Sequence, residues 1–419
     1  MDYQRGSDCL ELLSLCLVTL VPQVDALMKV LKMMRLSRFR RLLVLCCLGL
    51  SSPVIAAVPP APKLPADAYF LMDATTGQVL VDYQGDLSLP PASLTKIMTS
   101  YVLAEEVDAG RASLDDMITV SRNAWSQNPT FQGSSLMWIE PGKPVSLEDL
   151  ERGVVISSGN DASVAVAEHL AGTESSFVDV MNQIASDLGL DNTTYRNPHG
   201  LPHPEHRTTA RDLAKLSVAL INNHPEHYKI YKEKSFTYNG IKQYNRNGLL
   251  RTDSTVDGLK TGYTSEAGYG LVASAKRDDM RLVSVVLGSA TRRTRTSENA
   301  SLLNYGFRFF QNLRPLSAEV TLAEPKVWKG TKETVHGGVL ESVVLTVPRE
   351  RTEATIEVSV NEQLEAPLKR GDEIGVVTVR RNGDVLFETP LLVLDDVEAG
   401  GFFKRLIDAL ILWFQNLLG

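Results

Sequence analysis

Three short elements, far apart but fixed in order, limit what this chain can fold into. They are Ser93-Leu94-Thr95-Lys96, Ser158-Gly159-Asn160 beginning 65 positions after Ser93, and Lys260-Thr261-Gly262 beginning 102 positions after Ser158. Each alone is weak: a chain of this length holds a Ser-x-x-Lys about once or twice by chance, and a Lys-Thr-Gly occurs in roughly one chain in ten. Order and spacing carry the weight. Two hydroxyls, two lysines and a neutral amide are the groups a serine acyl-transfer site needs, so the fold has to bring residues 93, 158 and 260 to one cleft.

Local physics supports each element. Pro90-Pro91 stops what precedes, and Ile97, Met98, Tyr101 and Val102 then recur at helical spacing, so Ser93 is expected at a helix N-terminus. Lys96, three residues on, shares its face. A protonated lysine cannot accept a proton; burial, the positive helix end and a second cation, with Lys260 the candidate, all favour the neutral form. An isolated Ser-x-x-Lys is ordinarily a helix cap beside a solvated lysine, and the other two elements reverse that reading. The second element falls at a break between helical patterns over 147–156 and 162–170, where Gly159 permits a tight turn. Such a turn aims Ser158, a proton relay, and Asn160, an uncharged hydrogen-bonding partner for substrate and lysines, into the cleft. The third element leads into two strand-like runs separated by Lys276-Arg277-Asp278-Asp279. Lys260-Thr261-Gly262 is therefore expected on or beside an edge strand, where Gly262 allows close approach of an extended peptide and Lys260 and Thr261 donate to a carboxylate.

Residues 68–310 resemble the low-molecular-mass penicillin-binding proteins, specifically D-alanyl-D-alanine carboxypeptidases of the penicillin-binding protein 5 and 6 type. Beyond the three elements, the similarity rests on Tyr231-Lys-Glu-Lys-Ser-Phe-Thr-Tyr-Asn-Gly, Asn245-Arg-Asn-Gly-Leu-Leu and Val256-Asp-Gly-Leu-Lys-Thr-Gly-Tyr-Thr. The resemblance implies an α/β (α+β) catalytic domain of the serine β-lactamase/transpeptidase-like fold. It implies Ser93 as acylated nucleophile, Lys96 as its base, Ser158 and Asn160 as the second element, and Lys260, Thr261 and Gly262 as the third. It also implies an oxyanion hole from the backbone N–H groups of Ser93 and Tyr263, with Arg246 and Arg295 near the substrate's terminal carboxylate. Tyr263 stands where close relatives carry His. The implied substrate is the peptidoglycan stem peptide, with β-lactams as covalent inhibitors. A class A β-lactamase is the alternative, but the Glu-x-x-Leu-Asn loop expected of it is not found. A third reading is a tethered wall-binding protein with minor acyl chemistry.

The ends of the chain bear on where it works. Arg35, Arg38, Arg40 and Arg41 precede an apolar run over 42–50 and small residues at Ala56-Ala57, the pattern of a secretory signal starting at Met34, with an upstream extension before it. Cys9, Cys16, Cys46 and Cys47 all lie in this removable part. The region 315–397 changes character: Thr355-Ile-Glu-Val-Ser-Val alternates, and Gly375-Val-Val-Thr-Val-Arg and Val385-Leu-Phe-Glu flank the turn Arg381-Asn-Gly-Asp. A small all-β domain is expected there. Projected at 100° per residue, 402–418 separates Lys404, Arg405, Asp408, Gln415 and Asn416, with Leu412 intruding, from Phe403, Leu406, Ile407, Leu410, Trp413, Phe414, Leu417 and Leu418. Such a helix is about 26 Å long, short of the roughly 30 Å hydrocarbon core, and suits the membrane interface. The layout expected is therefore leader 1–56, catalytic domain 57–314, β domain 315–397 and amphipathic anchor 398–419, in a periplasmic protein attached peripherally to the outer face of the inner membrane.

After residue 56 the chain carries 36 Lys/Arg against 46 Asp/Glu, a formal charge of −10, which argues against a nucleic-acid partner. His199, His203 and His206 crowd one stretch, but Pro202 and Pro204 bar a helix there and no second ligand cluster accompanies them. They are expected on a surface loop bordering the cleft. A serine mechanism needs neither metal nor cofactor.

Overall fold

The computed structural model describes residues 58–349 and 353–418; the expected leader and its four cysteines lie outside them. Five antiparallel strands form the central sheet: β1 (Ala68–Asp73), β2 (Val79–Tyr83), β3 (Val256–Thr264), β4 (Gly268–Arg277) and β5 (Met280–Ser289), in the order β2-β1-β5-β4-β3. Alternate strand residues face opposite sides, and the buried residues divide accordingly. Phe70, Val272, Val283 and Val285 join the core of one face, whereas Leu71, Leu271, Leu282 and Val286 meet Leu302, Leu303 and Phe307 on the other.

On the first face lie α1 (Lys96–Asp108), α2 (Asn160–Ala171) and α3 (Ala210–Asn223); on the second lies α4 (Arg292–Phe309). Helix α1 is buried continuously from Lys96 to Ala104. A helix without a polar stripe over this stretch sits inside the layer and is held by its surroundings on all sides.

At Phe310 the chain passes from α4 directly into a strand, Phe310–Leu316, which pairs with Val343–Pro348 in the β-rich region. Thr355–Val360, Glu373–Arg381 and Asp384–Val393 form the main sheet of that region, around a core of its own that includes Val377, Val379, Leu391 and Val393. Arg381 pairs with Asp384 across Asn382 (φ 54°) and Gly383 (φ 90°), a two-residue turn with both centres left-handed, as strand twist favours. Thr346 bridges the two regions: its hydroxyl donates to Asp73 Oδ2 (3.1 Å) and contacts Thr76 Oγ1.

The last helix, α5 (Phe402–Leu418), lies against the β region by its polar side. Asp408 Oδ2 accepts from the backbone N–H of Lys329 (2.7 Å), and Asp408 and Leu412 are buried. Its apolar side is bare: Phe403 is 77% exposed, Trp413 58% and Leu410 51%. Among the described residues no helix is long and apolar enough to cross a membrane.

Candidate active site

Ser93 lies in a 3-10 turn, Ala92–Thr95, that runs into α1. Lys96, with no exposed surface, sits one turn on, its Nζ 3.3 Å from Ser93 Oγ, 2.7 Å from Asn160 Oδ1 and 2.6 Å from the His199 carbonyl. Burial pushes its pKa well below the usual lysine value, and the Arg246 guanidinium adds to the effect. The expected repelling cation, Lys260, is in the same site. Its Nζ donates to Ser158 Oγ at 2.8 Å, and its pKa is lowered well below normal by burial first, then by Lys96, Arg246 and Arg295. Coulomb repulsion is mutual, so the two buried ammonium groups disfavour each other's protons.

The turn carrying the second element differs from expectation. The left-handed residue is Ser158 (φ 58°), while Gly159 is at φ −63°. Glycine is required at 159 for space: a Cβ there would stand 2.8 Å from Asp161 Oδ1 and 2.9 Å from the Met137 backbone nitrogen. The predicted helix over 147–156 also splits, into Leu147–Arg152 and a π-helical turn, Gly153–Ser157, that swings Ser158 toward the cleft.

Lys260, Thr261 and Gly262 lie on β3, the sheet edge, in register with Val272, Leu271 and Gly270 of β4. A Cβ on Gly262 would lie 3.0 Å from the Pro91 carbonyl and 3.1 Å from Leu94 Cγ, so glycine lets this strand pass close beneath the Ser93 turn. Tyr263 stacks on its cross-strand partner Tyr269 (centroids 4.2 Å apart) and stays half-exposed at the cleft rim. Arg295 on α4 is almost fully buried: its Nη1 donates to the carbonyls of Gly262 (2.9 Å) and Gly270 (3.2 Å), tying β3 to β4. Burial, then Arg292, lowers its pKa to about 10. Arg246 lies opposite, its guanidinium donating to Ser135 Oγ; desolvation at the cleft wall, then Arg292, lowers its pKa. All ten predicted residues except Lys96 and Lys260 line one cleft of about 440 Å³, and those two lysines lie buried in its floor against Ser93 and Ser158.

Sequence reasoning missed the loop that forms the opposite wall. Gly133, Ser134 and Ser135 line the cleft, and the Ser135 carbonyl accepts from the Asn160 backbone N–H (2.8 Å). Asp161 holds the following residues: its carboxylate accepts from the backbone N–H groups of Met137, Trp138, Ile139 and Ala162, although burial still raises its pKa. Its position directly after Ser158-Gly159-Asn160 was the available signal. The histidine stretch also needs correction. His203 is exposed, but His199 and His206 are buried, with pKa values lowered by desolvation, that of His206 to about 3. His206 Nε2 meets Thr95 Oγ1 at 2.9 Å, so this segment braces the Ser93 turn. Among the described residues no group of three or more His, Cys, Asp or Glu is placed to hold a metal ion.

Comparison with known proteins agrees with this geometry. Residues 55–291 match the family profile described as D-alanyl-D-alanine carboxypeptidase, and residues 310–399 match the C-terminal domain of penicillin-binding protein 5. The D-alanyl-D-alanine carboxypeptidase DacC of Escherichia coli (strain K12) is 46% identical over 364 residues, 86% of this chain and 91% of the relative. The crystal structure of penicillin-binding protein 5 from Haemophilus influenzae superposes with a TM-score of 0.75 at 41% identity, covering 81% of this chain and 99% of that one. Penicillin-binding protein D2 from Listeria monocytogenes in its ampicillin-bound form matches with a TM-score of 0.53 at 31% identity, over 59% of this chain and all of the other. The chain therefore belongs to the D-alanyl-D-alanine carboxypeptidases of the penicillin-binding protein 5 and 6 type, serine peptidases that hydrolyse the D-alanyl-D-alanine bond.

Proposed function

We propose that Ser93 is the nucleophile and Lys96 its base, and that the chain removes the terminal D-alanine from peptidoglycan stem pentapeptides. The observation that carries this is the 3.3 Å approach of a buried, depressed-pKa Lys96 Nζ to Ser93 Oγ. Neutral Lys96 takes the Ser93 proton as Oγ bonds to the penultimate D-alanine carbonyl carbon. Ser158, bonded to Lys260, relays a proton to the departing amine as the C–N bond breaks; water then attacks the acyl carbon and Ser93 regains its proton. The backbone N–H groups of Ser93 and Tyr263 are the oxyanion donors. Asn160 orients the substrate amide, Gly262 lets the peptide approach β3, and Lys260, Thr261, Arg246 and Arg295 supply the field that holds the terminal carboxylate.

A β-lactam presents its ring carbonyl to the same nucleophile, so penicillins are read as acylating Ser93. The bare apolar side of α5 suits the headgroup boundary of a bilayer, which supports peripheral attachment to the outer face of the inner membrane, with the β domain, drawn from 315 to 397, as a spacer or partner surface. The test is incubation with a pentapeptide ending in D-Ala-D-Ala while free D-alanine is measured. Release by the unaltered chain and none from Ser93→Ala is the expected result, and retained release or penicillin labelling in Ser93→Ala overturns the assignment.

A further inference from the structure

Leu147, Leu150 and Val154 are buried at the spacing of an apolar helix face, and position 151 falls on that face, where another aliphatic side chain would pack. The residue there is Glu151, with no exposed surface. Its Oε1 lies 2.7 Å from Nδ1 of His227, which is also buried. Its Oε2 is buried without a hydrogen-bond partner, a cost that leucine would not carry. A buried ion pair is often no more stabilising than a well-packed apolar pair of similar volume, so stability does not account for this one. Local rules are broken in this way where function requires it.

The pair stands between the two segments that carry the site. The helix Leu147–Arg152 runs from Glu151 into the π-helical turn Gly153–Ser157 and then Ser158. His227 belongs to the short helix Pro225–Tyr228, and its Nε2 lies 3.7 Å from Oδ1 of Asp108, the last residue of α1, the helix that begins at Lys96. Protonated, the imidazole donates to Glu151 through Nδ1 and attracts Asp108 through the charge at Nε2; neutral, it keeps the first link and loses the second. Burial works against that charge, but the bond to Glu151 and the charges of Glu151, Asp108 and Glu226 outweigh it and raise the His227 pKa. Burial raises the Glu151 carboxyl as well, and the imidazole opposes the rise. Arg152 and Glu148 act on Glu151 from its own helix, and the buried Tyr231 hydroxyl feels its charge. His224 faces the other side of Asp108, its Nδ1 2.6 Å from Oδ2 and its Nε2 3.4 Å from Glu105 Oε1.

We propose that Glu151 and His227 are positioning residues, holding the turn that bears Ser158 against the Lys96 helix so that Ser158 Oγ stands at Lys260 ready to pass a proton to the leaving amine. The inference rests on the relay role given to Ser158 above. The link is present below the raised pKa of His227 and is lost as pH rises through it.

The full chain, Glu151→Gln and the double variant Glu151→Leu/His227→Leu are compared in pentapeptide kcat and KM, in pH profile and in thermal midpoint. Glutamine keeps an acceptor for the Nδ1 N–H but removes the charge that supports the proton, so the alkaline limb of kcat is expected to move to lower pH by about half a unit or more. The double variant fills both places with apolar groups, so its midpoint is expected within about 3 °C of the unaltered chain's, with kcat down roughly fivefold or more and KM within about twofold. Made in Ser158→Ala, the double substitution is expected to cost less than about twofold further, because the residue it acts through is gone. An alkaline limb that Glu151→Gln leaves in place overturns the inference, and that measurement alone decides if the double variant does not fold. A folded double variant with unchanged kcat overturns it too, as does an undiminished loss in the Ser158→Ala background. No D-alanine release from the unaltered chain overturns the carboxypeptidase reading, and the inference falls with it.

Discussion

Lys96 is a group that ordinarily carries a charge, placed where a charge is hard to keep. It has no exposed surface, and Arg246 repels its protonated form. Acting as a base requires the neutral amine, so acylation holds above the lowered pKa of Lys96 and is lost as pH falls through it. Removing the repelling cation in Arg246→Ala raises that pKa, so the acid limb of the pH profile for penicillin acylation is expected to move toward higher pH; an unmoved limb shows that Arg246 does not tune Lys96. The same variant separates substrates. If Arg246 holds the terminal carboxylate, its loss costs about 2–5 kcal/mol on a peptide with a free carboxylate and far less on the C-terminal amide; equal losses in the two rate measurements mark the arginine as structural. His203→Ala, at an exposed position, is expected to leave acylation intact. The neutral lysine was legible from Ser-x-x-Lys and a distant second cation. The contribution of Arg246 was not, because its repulsion arises from a tertiary approach that no spacing encodes.

Glycines show how far local signals reach at the scale of elements. The break between the two helical patterns was readable, and Gly159 marked it, yet the strained backbone falls on Ser158 and the glycine answers a crowding problem posed by Met137 and Asp161. Gly159→Ala is therefore expected to destabilise by about 1–3 kcal/mol, as overpacking does, and to slow acylation by displacing Asn160. Gly172 offers a control. It has φ +79° with open space around it, so Gly172→Ala meets only the left-handed penalty of about 1–2 kcal/mol and keeps its acylation rate. Thermal midpoints and penicillin-labelling rates on both variants check this, and a normal rate in a destabilised Gly159→Ala uncouples the turn from the chemistry. The Asn382-Gly383 hairpin and the edge position of Lys260-Thr261-Gly262 were legible because their periodicity and turn chemistry are local. The 133–139 wall was not, since what fixes it are tertiary bonds from Asn160, Asp161 and Arg246.

Across the whole molecule, α5 inverts the usual arrangement of an amphipathic helix, holding the protein by its polar side and leaving its apolar side bare. The 100° projection gave the two faces; Leu412, the apolar intruder on the polar face, is buried along with Asp408. Ending the chain after Glu398 removes the helix but leaves the β core around Val377 and Leu391, so a soluble enzyme with normal penicillin binding is expected. Leu410→Glu puts a charge on the bare face and is expected to weaken membrane association nearly as much, while Gln415→Glu, on the other side, has little effect. Fractionation of the three variants is the measurement, and a truncated chain that no longer binds penicillin assigns the helix to the fold. If α5 attaches the enzyme to a membrane as proposed, the bond from the Lys329 N–H to Asp408 has a further result. A catalyst riding on a loose tether samples every orientation, whereas one clamped at its foot works at a set height and facing. Under that attachment its search for substrate would be two-dimensional, the quantity governing its rate would be the number of molecules per unit of membrane area, and strands of wall outside that shell would go untrimmed however much enzyme was made.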